Sequence, residues 1–142
     1  MNRDKKKSAL LDSNVFIYLF RNERNLERLF SPKILSKVKY VISPIVLQEL
    51  LLAGDSFIPR DKLEEISEQF EVVPVDVIKS EALLKNVRKL RNRVAHSNDL
   101  MILGSAQNCD YLVSYDKLLA RFGEELNIPV VTPDEFLNEV LK

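Results

Sequence analysis

Four acidic residues are placed where an uncompensated negative charge is costly. In "LLDSNVFI", Asp12 ends a short apolar run, and in "YLVSYD", Asp116 follows another. In "VLQELL", Glu49 shares one face of a predicted helix with Ile45, Leu52 and Ala53, and in "SNDLMILG", Asp99 shares one with Ile102, Leu103 and Ala106. Four such carboxylates, if they converge, repel by about 3 kcal/mol per pair at ~5 Å and an effective dielectric of about 20. A positive group must therefore compensate them.

A hard divalent cation is the compensating group that fits these acids best. Mg²⁺ and Mn²⁺ prefer carboxylate and water oxygens as ligands. Such a cation lowers the pKa of a bound water and stabilises negative charge on a phosphoryl oxygen. We therefore expect a Mg²⁺ or Mn²⁺ site that hydrolyses phosphodiester bonds, with these acids as its metal ligands and catalytic residues: Asp12, Glu49, Asp99 and Asp116.

Each acid also has an ordinary structural reading. Asp12 and Asp116 are of a type favoured at helix N-caps, although Ser13 is a second candidate cap that would leave Asp12 free for a metal. Glu49 could pair with a distant Lys or lie at the solvent edge of its helix. Asp99 could simply be an acid in the first turn of a helix, where the macrodipole favours it. These readings need four independent explanations, whereas one metal site accounts for all four acids.

Strands that alternate with helices must position these acids. Short apolar segments bounded by turn residues predict strands at 8–12, 40–43, 71–75, 111–114 and 128–131. Helical spacing predicts helices at 14–20, 23–38, 44–53, 61–69, 77–93, 98–108, 116–123 and 133–141. This alternation implies parallel pairing and an α/β sandwich. Ligands of such sheets bind at the carboxyl ends of the strands, where Asp12 and Asp116 would lie.

Cap residues support several of these boundaries. Thr132 and Pro133 predict the start of the last helix, as N-cap and first helical residue, and Ser43 similarly precedes the helix at 44–53. Gly54 and Gly123 are natural C-terminal stops.

Length and composition predict a single domain over residues 1–142. The chain is 46% hydrophobic, with 21 basic and 21 acidic residues, so no global positive field indicates a nucleic-acid partner. Cys109 is the only cysteine, which excludes an intramolecular disulfide. No apolar stretch approaches the roughly 20 residues of a membrane span, and no signal sequence is present. We expect a soluble cytoplasmic protein that does not contact membranes.

Several residues near the acids could assist them. Asn14 and Ser114 are candidates to orient carboxylates or to hold a water, or else are local turn and cap residues. Lys85, Lys89 and Arg93 repeat at intervals of four and predict a basic helix face that contacts the backbone of a nucleic acid, unless this is an ordinary solvated face. The early aromatic residues, Tyr18 among them, could belong either to the core or to a dimer interface.

The order and context of the four acids resemble those of the PIN-domain nucleases. The segment "LLDSNVFI" resembles the first family motif, an Asp that closes strand one, and "VLQELL" resembles the second, a Glu within a helix. The segment "SNDLMILGSAQNCDYLVSYDKLL" resembles the third and fourth motifs together, and "PVVTPDEFL" resembles the last strand and helix of the family. The resemblance thus extends over nearly the whole chain.

This resemblance implies a three-layer α/β/α sandwich whose five-stranded parallel sheet has the order 3-2-1-4-5. It also implies Mg²⁺- or Mn²⁺-dependent cleavage of RNA and a homodimer. Many small members are toxins of the VapC type that a partner antitoxin holds inactive, and this is the function we expect. A housekeeping nuclease of RNA processing or quality control is one alternative, and a PIN-fold RNA- or protein-binding module with weak catalysis is another.

The fourth motif departs from the family pattern. Many members carry a further acid two residues after the motif Asp and then an aromatic residue, whereas this sequence reads Asp116-Lys117-Leu118-Leu119. This difference bears on a second metal site more than on the first, and it gives the binding-module alternative some weight.

Overall fold

A single parallel sheet forms the centre of the molecule. The computed structural model describes residues 5–52, 61, 64–65, 68, 70–87 and 97–142. In this part of the chain the strands are β1 (Lys7–Leu11), β2 (Val38–Ile42), β3 (Glu71–Val72), β4 (Tyr111–Val113) and β5 (Val130–Val131). All pairs are parallel, and the order is β3-β2-β1-β4-β5. The predicted fold class and strand order are confirmed.

Helices connect the strands and cover both faces of the sheet. Those with described bounds are α1 (Ser13–Phe20), α2 (Pro32–Leu35), α3 (Pro44–Leu52), α4 (Val77–Val87), α5 (Ser97–Ala106), α6 (Lys117–Glu125) and α7 (Pro133–Val140), with a 3₁₀ helix at Leu26–Phe30. Helices α1, α3, α5 and α4 contact one another in that succession, while α7 contacts β4, β5 and the 3₁₀ helix. None of these helices has both the length and the apolar character to cross a membrane.

The middle of the sheet forms the core and fixes the position of β1. Ala9, Leu10 and Leu11 are fully buried, as expected for a central parallel strand that helices cover on both faces. Ala9 is in register with Tyr40 of β2 on one side and with Tyr111 of β4 on the other. The carboxyl ends of these three strands therefore reach the same edge of the sheet.

The residues that follow the strands at this edge are polar and buried. Asp12, Ser43 and Ser114 come directly after β1, β2 and β4 and are each less than a tenth exposed. The backbone N–H of Asp12 donates to the carbonyl of Val113 at 3.0 Å, so the pairing of β1 with β4 extends to the acid itself. The sheet thus positions the first acid through its backbone.

The largest error of the sequence prediction is the helix at 23–38. The chain instead forms a turn, the 3₁₀ helix, the short α2 and then β2, which begins at Val38. Asn22, Arg24 and Asn25 have positive φ angles of 54°, 61° and 55°, which end α1 and prevent a new helix from starting. Pro32 then fits only as the first residue of a separate helix, and Ser31 caps that helix through a bond from the N–H of Ile34 at 3.4 Å.

Other predicted boundaries shift for local reasons. The strand predicted at 71–75 is only β3, and one further backbone bond, from the N–H of Val73 to the carbonyl of Ile42 at 2.8 Å, follows it. Helix α6 runs two residues past the stop predicted at Gly123, and a side chain there would collide with Val130 and with the carbonyl of Ile128. This glycine therefore allows the close approach of β5 to α6 rather than ending a helix.

The predicted starts of two helices are confirmed. The hydroxyl of Thr132 accepts from the N–H of Glu135 at 3.2 Å, and that of Ser43 accepts from the N–H of Ile45 at 3.1 Å. Gly54 and the helix predicted beyond Val87 lie outside the described residues. Of the helix predicted at 61–69, only 61, 64–65 and 68 are described, and each is helical.

Candidate active site at the carboxyl edge of the sheet

Asp12 caps α1 with one carboxylate oxygen. Its Oδ1 accepts a hydrogen bond from the backbone N–H of Ser13 at 2.8 Å, and Asp12 itself is the N-cap residue of the helix. The suggestion that Ser13 caps the helix in its place is wrong, because the helix already begins at Ser13. The side chain of Asp12 is only 6% exposed. Capping thus fixes the orientation of a buried carboxylate.

The second oxygen of Asp12 belongs to a hydrogen-bond network that links β1 to β4. The Ser114 hydroxyl donates to Asp12 Oδ2 at 2.7 Å and accepts from the Asn14 amide at 3.2 Å and from the backbone N–H of Asp116 at 3.0 Å. Asn14 also donates to Asp12 Oδ2 at 3.4 Å and accepts from the N–H of Tyr115 at 3.2 Å. The one donor and both acceptor positions of the Ser114 hydroxyl are used. The network therefore fixes the position of the loop after β1 relative to the loop after β4.

Asp116 repeats the arrangement of Asp12 at the end of β4. It is the N-cap of α6, and its Oδ1 accepts from the N–H groups of Leu118 and Leu119 at 2.9 and 3.1 Å. Its own N–H is bound by Ser114. Capping uses only one carboxylate oxygen of Asp116. A role as helix cap is therefore compatible with a role as metal ligand, and the same holds for Asp12.

Glu49 approaches the same edge from α3 and lacks a partner for one oxygen. Its side chain is half-buried, and within the described part of the chain no hydrogen-bond donor reaches the buried Oε1 atom. The apolar neighbours predicted for it are partly wrong, because Leu52 is 77% exposed and the buried residues of this helix are Val46 and Leu50. The inward placement of Glu49 nevertheless agrees with the prediction.

Asp99 lies in the first turn of α5 and is half-buried. The three residues predicted to share its helix face, Ile102, Leu103 and Ala106, are all in the core. Helix α5 contacts α3, which carries Glu49. The apolar stripe of α5 therefore directs Asp99 towards the same region as the other acids.

The pKa shifts indicate that the four acids share one electrostatic environment. Burial raises the pKa of Glu49 from its ordinary 4.5 to about 7, and the charges of Asp12, Asp99 and Asp116 add to the rise. Burial also raises the pKa of Asp12, against the hydrogen bonds from Ser114 and Ser13, and Asp116 contributes to the increase. All three aspartates are thus within electrostatic reach of Glu49, and Asp12 is within reach of Asp116.

These residues fit a hard divalent cation. The donor set consists of carboxylate oxygens, and the buried Oε1 of Glu49 is an acceptor that lacks a donor in the described part of the chain. In the same part of the chain, no three acids are already close enough together to form a complete metal-binding cluster.

The basic face predicted on α4 is described at one residue only. Lys85 is exposed, whereas Lys89 and Arg93 lie outside the described residues. Sequence reasoning missed a different basic residue, Arg24, whose guanidinium lies 4.1 Å from the ring centroid of Tyr18 and 4.4 Å from that of Tyr115. The only local signal was the turn-forming "RNERN" at 21–25, of which residues 23–25 were assigned to a helix.

Comparison with known proteins assigns the family. A model of the PIN domain matches residues 9–140, which include all four acids. The chain belongs to the PIN domain family. PIN domains are nucleases, so the activity that follows at a coarse level is hydrolysis of nucleic acid. No curated protein matches the sequence of this PIN domain.

Solved structures of PIN proteins share the fold. VapBC2 from Rickettsia felis, bound to a DNA fragment from its promoter, matches with a TM-score of 0.67 and 15% identity over 87% of this chain and 96% of that chain. VapBC-1 from nontypeable Haemophilus influenzae gives 0.65 and 21% over 89% and 98%. VapC20 from Mycobacterium tuberculosis, a Sarcin-Ricin loop cleaving toxin, gives 0.60 and 14% over 81% and 95%. At these identities the likeness concerns the fold.

Proposed function

We propose that this PIN domain is a Mg²⁺- or Mn²⁺-dependent endoribonuclease. Asp12, Glu49, Asp99 and Asp116 are its metal ligands and catalytic residues. The observation that carries the proposal is the buried Oε1 of Glu49, which has no donor within the described residues and lies in the field of three aspartates. A buried acceptor without a partner is costly, and a bound cation would compensate it.

The protein's own residues would prepare the site for the reaction. The bond from Ser114 and the cap bond from Ser13 keep both oxygens of Asp12 fixed, so the carboxylate need not reorganise when substrate arrives. Asn14 and Ser114 hold the loop of Asp116 in register with that of Asp12. Glu49 and Asp99 close the site from the helix layer. When bound, the metal would activate a water and neutralise charge on the phosphoryl group.

The biological role that fits best is the toxin of a VapBC-type pair. Support comes from three structural neighbours that are VapBC complexes or a VapC toxin, of whose matched chains 95–98% is covered. On this proposal the partners are an RNA substrate and an antitoxin protein, the chain forms a homodimer, and it acts in the cytoplasm. A housekeeping nuclease with the same four acids is the alternative.

Cleavage of RNA by the purified chain tests the activity. We expect cleavage with Mg²⁺ or Mn²⁺, none with chelator, and a loss of at least about 100-fold for Asp12→Asn or Glu49→Gln. Asp134→Asn and Glu124→Gln are matched controls, because both acids are exposed and lie on helices outside the site. Equal cleavage by Asp12→Asn and wild type would refute the assigned site.

Growth assays separate the toxin from the housekeeping nuclease. Expression of the chain should arrest growth, and a neighbouring gene for a small DNA-binding protein should relieve the arrest when it is co-expressed. Asp12→Asn should not be toxic. Harmless expression of an active nuclease would instead favour the housekeeping role.

A further inference from the structure

An arginine is held on two aromatic rings beside the acidic site. Tyr18 lies one helical turn after Asn14 on α1, and Tyr115 lies between Ser114 and Asp116. The two rings meet edge to face, with their centroids 5.3 Å apart and their planes at 83°. The guanidinium carbon of Arg24 lies 4.1 and 4.4 Å from the two centroids, within cation–π distance of both.

The backbone around Arg24 is adapted to this placement. Arg24 itself has a φ angle of 61°, in the left-handed region that non-glycine residues rarely adopt, and Asn22 and Asn25 on either side of it are also left-handed. The N–H of Glu23 donates to the carbonyl of Tyr18 at 2.9 Å, so the turn folds back over the end of α1. The turn therefore brings Arg24 onto the ring of Tyr18.

The charge of Arg24 has no counter-ion among the described residues. Among the described residues no carboxylate forms an ion pair with it, and the side chain is exposed. Burial raises the pKa of Tyr115, and the neighbouring charge of Arg24 opposes this rise. Arg28, one turn further along, differs because it pairs with Asp134 at 3.2 Å. Arg24 is thus a fixed cation whose remaining N–H donors can bind an external anion.

Tyr115 also lines a cavity that carries a second group of cations. This cavity of about 360 Å³ is lined by Tyr115 and Asp116 together with Lys117 and Arg121, which are one turn apart on α6, and by Glu135. Positive charge thus lies near Tyr115 both at Arg24 and at this cavity. Such flanking charge offsets the repulsion between an RNA strand and four carboxylates.

We propose that Arg24, supported by Tyr18 and Tyr115, binds a phosphate of a single-stranded RNA substrate next to the acidic site. The inference rests on the proposed ribonuclease function and deepens it by assigning a substrate-binding residue. A stacked guanidinium loses little freedom when it binds, and its planar fork matches the geometry of a phosphate. Neighbouring aromatic rings are also common supports for unpaired bases.

Binding measurements in an inactive background test this role separately from catalysis. The background is Asp12→Asn, the probe is a short single-stranded RNA of mixed sequence, and affinity is measured over a series of salt concentrations. We expect Arg24→Ala to weaken binding about 10-fold and to lower the salt slope by about 0.7, the value for one phosphate contact on a single strand. Arg24→Lys should keep the slope and weaken binding less, because it retains the charge but not the planar fork.

Arg28→Ala is the matched control, since it removes an exposed arginine of the same segment that is already paired. It should leave both quantities unchanged, and thermal melting of each variant checks that the fold is kept. If Arg24→Ala binds RNA with the same affinity and salt slope as its parent, the inference is wrong. It is also wrong if no variant binds single-stranded RNA. A selective loss for Arg24→Ala supports it even if the wild-type chain proves unable to cleave RNA.

Discussion

The two acids at strand ends and the two acids on helices are held in different ways. Asp12 and Asp116 each cap a helix, and both are tied to the hydroxyl of Ser114. Glu49 projects from α3 with one buried oxygen that no donor in the described part of the chain reaches. Both oxygens of Asp12 and one oxygen of Asp116 therefore accept hydrogen bonds from the protein, whereas on the helix side of the site Glu49 carries a buried acceptor without such a bond.

This difference divides the site into two parts. The framework consists of the hydrogen-bonded loops after β1 and β4, and the helix side, which carries Glu49, depends on a ligand. Hydrogen bonds that already exist orient the acids of β1 and β4, and this orientation needs no cation. The position of Glu49 is costly until something positive arrives, and its raised pKa reflects that cost. A bound cation would thus connect Glu49 on the helix side to the carboxylates at the edge of the sheet, which hydrogen bonds already orient.

The largest expected effect is stabilisation by metal. A ligand that binds only the folded chain stabilises it by about 2.7 kcal/mol at 100 times its dissociation constant. We expect Mn²⁺ to raise the melting temperature of the wild-type chain, and to do so much less for Glu49→Gln, because the variant lacks the charge that the metal would compensate. Melting curves with metal and with chelator measure both effects.

Glu124→Gln controls for the removal of an acid elsewhere. Glu124 is exposed on α6, so this variant should respond to Mn²⁺ as the wild type does. If Glu49→Gln and Glu124→Gln respond equally, Glu49 is not a metal ligand and the contrast between the two pairs of acids has another cause.

A smaller effect is expected when the framework itself is broken. Ser114→Ala removes three hydrogen bonds at once and leaves Asp12 Oδ2 with only the 3.4 Å contact to Asn14. We expect a loss of about 2 kcal/mol in the free energy of unfolding, measured by urea denaturation in chelator. Ser36→Ala is the control, since that hydroxyl is exposed and bonds only to the carbonyl of Lys33. A loss no larger than that of the control would mean that the network does not organise the loops.

The sequence predicted the framework better than the ligand-dependent side. The placement of Asp12 and Asp116 follows from short apolar runs, which are local signals, and the strand order follows from the resemblance to the family. The neighbours of Glu49 were partly misassigned because helical spacing alone does not say which side of α3 faces the sheet, and Leu52 proved to be exposed. Arg24 was missed because Tyr115 is distant in sequence and because the left-handed turn was read as helix.

The smallest expected effect is a change in how the free energy of unfolding depends on pH, and it tests Glu49 directly. The pKa of Glu49 is raised from 4.5 to about 7 in the folded chain. Between these values the folded protein holds a proton that the unfolded chain has released, so stability falls as the pH rises through this window. Glu49→Gln stays neutral and lacks this decline. In chelator, the variant should match the wild type near the lower pH and be the more stable protein above the upper one.

The size of this difference is limited because Glu49 is only half-buried. Allowing for solvent screening, we expect Glu49→Gln to gain about 1 to 2 kcal/mol over the wild type at the upper end of the window. Urea denaturation at several pH values in chelator measures it. Added Mn²⁺ should reverse the order of the two proteins, because the charge that destabilises the metal-free chain is the one a cation would bind. A variant that is less stable than the wild type throughout would show that Glu49 is satisfied by the protein, as Asp12 is.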